Sequence, residues 1–274
     1  MSEAAVPAGA ERVAAGGAAA RERRARSYGA VYGAVGLVAL VAIWWAAIEF
    51  GSAPGSFARL FAPAAAFSSL AELASGPDLW THIALSLKRI AVGLGLAVLI
   101  GVPVGLAVGA SKALDAATTP AFQLLRMISP LSWMPIAVMA LGVGDAPIYF
   151  LLTFAAVWPI LLNTAAGVRA LDRRWLLLAE SLAATRWETL SRVVVPGVTG
   201  HVLTGVRLAI GILWIVLVPC EMLGVSAGLG YFILDTRDRL AYSELAAVVL
   251  VIGALGFLLD AAARAAHAAW SPKR

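Results

Sequence analysis

Residues 90–111 read IAVGLGLAVLIGVPVGLAVGAS, a run of 22 residues without a charged side chain. A helix needs about 20 apolar residues to cross the hydrocarbon layer of a bilayer. The stretch therefore predicts a membrane-spanning helix. Because 61% of the 274 residues are hydrophobic and only 14% are charged, lipid is expected to surround much of the chain.

Five further stretches predict spans by the same criterion. One of them, Met127–Gly144, contains Pro130 and Pro135 and is expected to be a kinked span that begins near Pro120. The predicted fold class is therefore all-α, a polytopic membrane protein with about six transmembrane helices. Besides residues 90–111 and the kinked third span, the predicted spans are Ser27–Ile48, Ala146–Val168, Val202–Gly224 and Ala241–Ala263.

The remaining segments are too polar or too broken to span. Residues 1–26 are rich in Ala, Gly, Glu and Arg and predict a disordered cytoplasmic tail rather than a signal peptide. Residues 51–80 predict an external connection with a short surface helix around Phe67–Ala74. The predicted membrane domain is residues 27–268, followed by a short tail, residues 269–274.

The basic residues predict the orientation of the spans. Six spans place both termini on one side, and that side is cytoplasmic if it carries the excess of Lys and Arg. Lys88 and Arg89 lie near the outer start of the second span and are interpreted as snorkelling residues. The distribution of basic residues thus indicates the membrane topology, and no nucleic-acid partner is expected. The cytoplasmic cluster comprises Arg12, Arg21, Arg23, Arg24, Arg26, Lys112, Arg169, Arg173, Arg174, Arg186, Arg192, Arg264, Lys273 and Arg274.

Motifs of catalysis and metal binding are missing from the sequence. It contains no P-loop, no HExxH and no GxSxG, and its three histidines are dispersed. Cys220, the single cysteine, lies in an apolar run and is predicted to be a small buried hydrophobe. No catalytic residue, metal ligand or bound cofactor is therefore predicted.

Residues 169–198 interrupt the pattern of spans with a charged, amphipathic segment. Leu176, Ala179, Leu182 and Ala183 share one face at helical spacing. A second helix is predicted to begin at Thr185, with Glu188 completing a capping box, and to end at Pro196-Gly197. Apolar side chains beside charges in the cytoplasm suggest docking on a partner. Packing against the chain's own spans is the alternative.

Several motifs in this half of the chain resemble one known family. These are AESLAATRWETLSRVVVPG at residues 179–197, LTGVRLAIGILWIVLVPCEMLG at 203–224 and GLGYFI at 228–233. Upstream, residues 129–168 include SPLSWMPIA and WPILLNT. In combined order they resemble the permeases of binding-protein-dependent ABC importers, in the branch that handles nitrate, sulfonates and taurine.

The resemblance implies a type I ABC importer permease fold in a bacterial cell membrane. It implies two ABC ATPase subunits that bind ATP and Mg, a second permease subunit forming a homodimer, and an extracytoplasmic solute-binding protein. The implied solute is an oxyanion or a sulfonate. The loop at 169–198 would contain the coupling helix that contacts the ATPase, through Ala179, Glu180, Ser181, Leu182, Ala183, Ala184, Thr185, Arg186 and Trp187.

The family signature of this loop is Glu-Ala-Ala, three variable residues and Gly, and the chain departs from it. Leu177 stands at the Glu position, Leu178 at the first Ala position and Ala183 at the Gly position. Glu180 lies out of register and does not inherit the role of the signature glutamate. Docking is still expected, with altered detailed contacts.

Polar and proline residues inside the spans are candidates for the solute pathway, because burying polar groups in lipid is costly. Glu221 could be a gate residue or a paired interfacial carboxylate, and Arg207 could attract an anion or snorkel to the headgroups. Asn163 could line the route or bond across helices. The remaining candidates form a proline-broken stretch, which could border a cavity, where broken helices are tolerated. A simple packing kink is the alternative. These candidates are Ser129, Pro130, Trp133 and Pro135.

Three other functions remain open from the sequence. A channel could use the same spans without ATP, but would not need the amphipathic loop. A membrane scaffold would not need polar and proline features inside its spans. A proton-coupled carrier is disfavoured because few ionisable residues lie within the spans and no inverted repeat is evident.

Overall fold

The computed structural model describes residues 31–33, 35–53 and 56–270 of the chain. Its regular structure is helical, and no strand occurs among these residues. The chain divides into two units, residues 1–67 and 68–274. The predicted tail at residues 1–26, the start of the first predicted span and residues 271–274 lie outside the described residues.

The first unit contains helix α1, Val31–Gly51, which is long and apolar enough to cross a membrane. A 3-10 turn follows at Phe57–Phe61. Arg59 of this turn pairs with Glu49 of α1 at 3.3 Å. Helix α2, Pro63–Ser75, begins within this unit and is longer than the predicted surface helix at 67–74.

Three long helices form the core of the second unit. They are α3, Pro77–Ala110, α6, Asp145–Arg169, and α9, Val195–Gly224. Side chains from all three fill one apolar cluster, in which α6 lies between α3 and α9. The fully buried members of this cluster are Ala97, Ile148, Leu151, Leu152, Ala156, Ile160, Ala209, Leu213, Leu217 and Cys220.

Small residues bring α3 close to α6. Gly101, Gly105 and Gly109 recur every fourth residue on the buried side of α3. A Cβ on Gly105 would lie 2.6 Å from the carbonyl oxygen of Leu161, and one on Gly109 would lie 2.7 Å from Cβ of Val168. The backbones can therefore approach only because these positions lack side chains.

Helix α3 is much longer than the predicted second span. It has 34 residues, about 51 Å at 1.5 Å per residue, against about 30 Å of hydrocarbon. The helix begins 13 residues before the predicted span start at Ile90, because Lys88 and Arg89 interrupt the apolar run without ending the helix. The predicted end at Ser111 is correct to within one residue, since Ser111 caps the next helix by accepting from the N–H of Leu114.

The third predicted span is sharply broken. Its first part is helix α4, Lys112–Met127. Its second part is a 3-10 turn at Pro130–Trp133 followed by helix α5, Met134–Leu141. The two parts meet at an angle of 86°. The expected kink is present, but the first part begins at Lys112 rather than near Pro120. Pro120 lies inside α4 and does not end it.

The C-terminal half contains five further helical segments. The predicted end of the second loop helix at Pro196-Gly197 is wrong: the helix continues from Arg186 to Gly224. Pro196 stands in the first turn of α9, where its missing N–H is tolerated after the π turn. The segments are α7, Arg173–Ser181, α8, Arg186–Thr189, a π turn at Leu190–Val194, α10, Leu229–Asp238, and α11, Tyr242–Trp270.

The described residues contain five helices long and apolar enough to cross a membrane, or six if the bent pair α4 and α5 is one span. The predicted class, an all-α polytopic membrane protein of about six spans, is confirmed. The fourth span, predicted as Ala146–Val168, is within one residue of α6 at each end. Helix α10 was not predicted.

Candidate functional site

The loop between α6 and α9 folds into two short helices joined by a tight turn. At the end of α7, the N–H of Ala184 donates to the carbonyl of Ala179 and the N–H of Ala183 donates to the carbonyl of Glu180, each at 3.0 Å. This is the Schellman pattern of helix termination. Ala183 has a φ of 52°, the left-handed conformation for which glycine is the usual residue. The alanine at the signature's glycine position thus adopts a glycine-like backbone.

The second helix of the loop starts with the predicted capping box. The N–H of Glu188 donates to Oγ1 of Thr185 at 3.3 Å, and the N–H of Thr185 donates to Oε2 of Glu188 at 2.8 Å. Both halves of the box are present. The start of α8 is therefore fixed by local interactions.

The exposed surface of this loop carries large apolar side chains beside charged ones. Trp175, Leu182 and Trp187 are 60%, 72% and 73% exposed, and Ala179 is the buried residue of α7. The nine predicted coupling residues cover the end of α7, the turn and the start of α8. All are exposed except buried Ala179 and half-buried Ala184. Their contact with an ATPase stays a prediction.

A buried ionic network joins α3, α6 and α9 near the end of α9. Arg89 donates from Nη1 to Oε1 of Glu221 at 2.7 Å, and from Nε and Nη2 to Oδ1 of Asp145 at 2.9 and 2.7 Å. The hydroxyl of Ser86 donates to the Glu221 carboxylate, 2.8 Å from Oε1 and 2.9 Å from Oε2. Glu221 is fully buried and Arg89 is 3% exposed. Pairing offsets the large cost of burying each charge.

The same network fixes the turn between α9 and α10. The N–H groups of residues 228–230 donate to Nδ1 of His82, Oγ of Ser86 and Oε2 of Glu221, each at 2.9 Å. Gly228 has a φ of 124°, and a Cβ there would lie 2.5 Å from Cδ of Glu221. The turn therefore requires glycine beside the buried carboxylate.

The network changes the interpretation of two residues. Arg89 does not snorkel: it is buried inside the protein between two carboxylates. Glu221 has the paired environment that the sequence left as one alternative, and a gating role stays a prediction. The ion pair between Arg89 and Glu221 was not predicted from the sequence, because 132 residues separate the two and no local pattern links them.

A cavity of 760 Å³ opens beside this network. Arg89 and Asp145 line it, together with Asp235 and Asp238 of α10. Each of its three carboxylates is paired with an arginine: Asp145 with Arg89, Asp235 with Arg239 and Asp238 with Arg237.

A second cavity, of 500 Å³, lies at the break between α4 and α5 and combines residues of α6 and α9. It brings together two predicted pathway residues, Pro130 and Asn163. Trp133 packs on Phe154, a lining residue, with ring centroids 5.6 Å apart. The structure does not place Ser129 or Pro135 on the cavity wall. The lining residues are Arg126, Met127, Ile128, Pro130, Phe154, Ala155, Trp158, Pro159, Leu162, Asn163, Leu208 and Ile212.

Arg207 lies one residue before the lining residue Leu208 but points to a different partner. Its Nε is 3.7 Å from Oδ1 of Asp260 on α11, with both side chains partly exposed. Asp260 also pairs with Arg264. Arg207 thus belongs to an exposed ion-pair cluster between α9 and α11.

The described residues hold no group of three or more His, Cys, Asp or Glu side chains that could bind a metal ion. Cys220 is fully buried, as predicted. The candidate sites are therefore surfaces and cavities of a helical membrane protein.

Comparisons with known proteins identify the family. The sequence pattern of the binding-protein-dependent transport system inner membrane component matches residues 97–274. The bicarbonate transport system permease protein CmpB of Synechococcus elongatus is 40% identical over 183 residues, which are 66% of this chain and 65% of CmpB. The taurine transport system permease protein TauC of Escherichia coli is 32% identical over 242 residues, covering 86% of this chain and 87% of TauC. The nitrate import permease protein NrtB of Leptolyngbya laminosa is 35% identical over 68% of each chain.

A solved structure described as inward-facing conformations of the MetNI methionine ABC transporter has the same fold. One of its chains matches with a TM-score of 0.58 at 16% identity, over 70% of this chain and 94% of that one. The helical bundle therefore defines a multi-pass membrane protein with the type I importer permease fold. The chain belongs to the family of binding-protein-dependent transport system inner membrane components, and the resemblance seen in its motifs is confirmed.

Proposed function

We propose that this chain is the membrane-spanning permease subunit of an ATP-driven importer for a small oxyanion or sulfonate. It would carry out no chemical step itself, with ATP and Mg bound by partner subunits. The observation that carries the proposal is the loop with exposed Trp175, Leu182 and Trp187, which joins two core helices. Exposed apolar patches rimmed by polar residues are typical of protein interfaces.

The construction of the loop supports a mechanical role. The Schellman turn and the capping box fix the ends of α7 and α8. Helix α8 continues through the π turn into α9, so that the exposed surface and a core helix form one continuous helix from Arg186 to Gly224. A force on this surface would therefore be transmitted to the core.

The partners follow from this role. Two ATPase subunits would bind the loops of two permease copies, and a solute-binding protein would deliver the solute from outside. Both termini and the loop would then lie in the cytoplasm. The names of CmpB, NrtB and TauC support a solute among bicarbonate, nitrate and taurine, and all three of these solutes carry an oxyanion group.

The test is reconstitution of the full chain in proteoliposomes with its ABC ATPase and its solute-binding protein. We expect uptake of labelled bicarbonate, nitrate or taurine that requires ATP and the loaded binding protein. Leu182→Glu with Trp187→Glu should abolish co-purification of the ATPase while leaving thermal unfolding unchanged, because both side chains are exposed. Leu240→Glu is the matched control, since Leu240 is 68% exposed outside the loop. Uptake that proceeds without ATP would indicate a channel instead.

A further inference from the structure

We infer that Arg126 and Asn163 form an anion-binding site on the wall of the solute pathway, within the 500 Å³ cavity at the break between α4 and α5. The inference rests on the proposed function and names the part of this chain that contacts the solute. The ligand class is a small oxyanion, either a free one such as nitrate or a sulfonate group.

The charge of the cavity favours an anion. Arg126 is the charged residue among its lining residues, and no carboxylate lines it. In the part of the chain that the structure describes, no acidic side chain pairs with Arg126, which stands at the exposed end of α4. The 760 Å³ cavity differs, since Asp145, Asp235 and Asp238 line it beside Arg89. Those three carboxylates are each paired with an arginine, so of these two cavities an anion would meet an arginine without an acidic partner only in the one at Arg126.

The position of Arg126 argues that this face contacts water rather than lipid. It lies about 21 Å along α4 from Lys112, at a rise of about 1.5 Å per residue. Helix α4 and the segment Pro130–Leu141 together are apolar enough to enter a membrane, and an arginine without an acidic partner is costly against lipid, which favours a water-filled or functional surface here. Leu208 and Ile212 of α9, which also line the cavity, are 52% and 37% exposed. The open side of the cavity therefore lies on the surface of the chain.

One further group can donate a hydrogen bond. Asn163 donates from Nδ2 to the carbonyl of Pro159 at 2.7 Å, which holds the amide in place and leaves its second N–H for a ligand. A guanidinium presents a planar fork of donors that matches two oxygens of an oxyanion. Together these groups resemble the donor set of an anion site.

The first test measures the charge of the cavity without transport. Leu208→Cys in a Cys220→Ala background gives the full chain one thiol, on the cavity wall. In lipid nanodiscs we compare its reaction rate with a sulfonate-bearing and with a trimethylammonium-bearing methanethiosulfonate reagent. Arg126→Gln should lower the ratio of the two rates about tenfold, the effect of one nearby charge in a partly aqueous site. Nitrate at millimolar concentration should slow labelling only when Arg126 is present.

The matched control is Lys112→Gln, which removes the same charge from the other end of α4. It should leave the ratio unchanged. If Arg126→Gln leaves the ratio unchanged, or if the thiol at 208 reacts with neither reagent, the site is overturned.

The second test measures uptake in the reconstituted transporter with labelled nitrate, bicarbonate and taurine. Arg126→Gln should raise the half-saturating solute concentration, or lower uptake per ATP, at least about tenfold, and Arg126→Lys should restore part of it. If wild-type protein takes up solute and Arg126→Gln matches it, this site is wrong while the proposed function stands. If wild-type protein shows no ATP-dependent uptake but the labelling ratio depends on Arg126, the proposed function fails and the anion site stands.

Discussion

At the scale of single residues, Ala183 shows how this chain satisfies a backbone requirement without the expected glycine. Its φ of 52° closes the Schellman turn of α7. Leu240 closes α10 in the same way, with a φ of 60° and a hydrogen bond from the N–H of Ala241 to the carbonyl of Thr236. Left-handed backbone costs a residue with a Cβ about 1–2 kcal/mol. The surrounding hydrogen bonds hold both turns in place despite this cost.

Substitutions of Ala183 should therefore change coupling. Ala183→Gly removes the cost of the left-handed backbone, and we expect uptake per ATP at least equal to that of wild type. Ala183→Val adds a β-branched side chain and should leave ATP hydrolysis intact while reducing uptake. Both rates are measured in the reconstituted transporter. Ala170→Val is the control, since Ala170 is exposed, has a φ of −83° and lies outside the predicted coupling residues. Wild-type coupling in Ala183→Val would contradict the prediction.

Glu221 shows how burial changes the role of a carboxylate. It accepts hydrogen bonds from the side chains of Arg89 and Ser86 and from the N–H of Gly230. Three partners in a fully buried site leave little freedom to bind a solute. Glu221 therefore stabilises the contact between α3, α9 and the turn that follows α9.

Removing Glu221 should be much more costly than removing Asp145. Glu221→Ala leaves Arg89 buried without one of its two carboxylates, which costs about 3–5 kcal/mol in comparable buried pairs. Asp145→Ala also removes a carboxylate from Arg89, but the Asp145 side chain is 35% exposed, so water can replace it. This variant should be clearly less destabilising than Glu221→Ala, which also leaves the N–H of Gly230 without its acceptor. Thermal unfolding of the detergent-solubilised variants measures both. Equal shifts in the two variants would show that the network does not depend on burial.

At the scale of elements, the spacing of Gly101, Gly105 and Gly109 decides how α3 packs on α6. Each of these positions faces atoms of α6 closer than a Cβ can approach without displacement. Gly95 lies on the other side of α3, where a Cβ would meet nothing within 4 Å. One helix thus has a face that excludes side chains and a face that accepts them.

This difference predicts opposite effects of the same substitution. Gly105→Ala should destabilise the protein by about 1–3 kcal/mol, because its Cβ would press on the Leu161 carbonyl. Gly95→Ala should be neutral or stabilising, since alanine favours helix over glycine by about 1 kcal/mol. Thermal unfolding in one detergent compares the pair. Destabilisation by Gly95→Ala equal to that by Gly105→Ala would exclude close helix packing as the cause.

At the scale of the whole molecule, the distribution of basic residues predicts orientation. Trp175 lies in the loop on the predicted cytoplasmic side, and Leu240 lies between α10 and α11 on the predicted outer side. Both side chains are exposed, at 60% and 68%. Since Cys220 is the one cysteine of the chain, each position can carry a unique thiol.

Labelling of these thiols should report sidedness. In a Cys220→Ala background, Leu240→Cys should react with a membrane-impermeant maleimide in intact cells. Trp175→Cys should react only after the membrane is permeabilised. The reverse pattern would invert the predicted topology, and labelling of both in intact cells would mean that the two positions share the outer side.

Local chemistry was sufficient to predict the membrane class, most helices and the capping box. A membrane span is recognised from a contiguous run without charges, because a charge in lipid is costly. The capping box is recognised from Thr185 and Glu188, which lie three residues apart. Both patterns can therefore be read from neighbouring residues in the sequence. The ends of helices were less predictable. The run that begins at Ile90 is only part of α3, because the charge of Arg89 is balanced by residues that lie far away in sequence.

The sequence by itself determined that this chain is a helical membrane protein with an amphipathic loop, since hydropathy and capping are properties of contiguous residues. Only the tertiary structure decided that Arg89 meets Glu221, and that Arg126 and Asn163 share one cavity. Arg89 meets Glu221 because the glycine face of α3 brings α6 close to it and α9 packs against α6 in turn. The meeting of distant charges depends on that packing, which no single segment of the chain encodes.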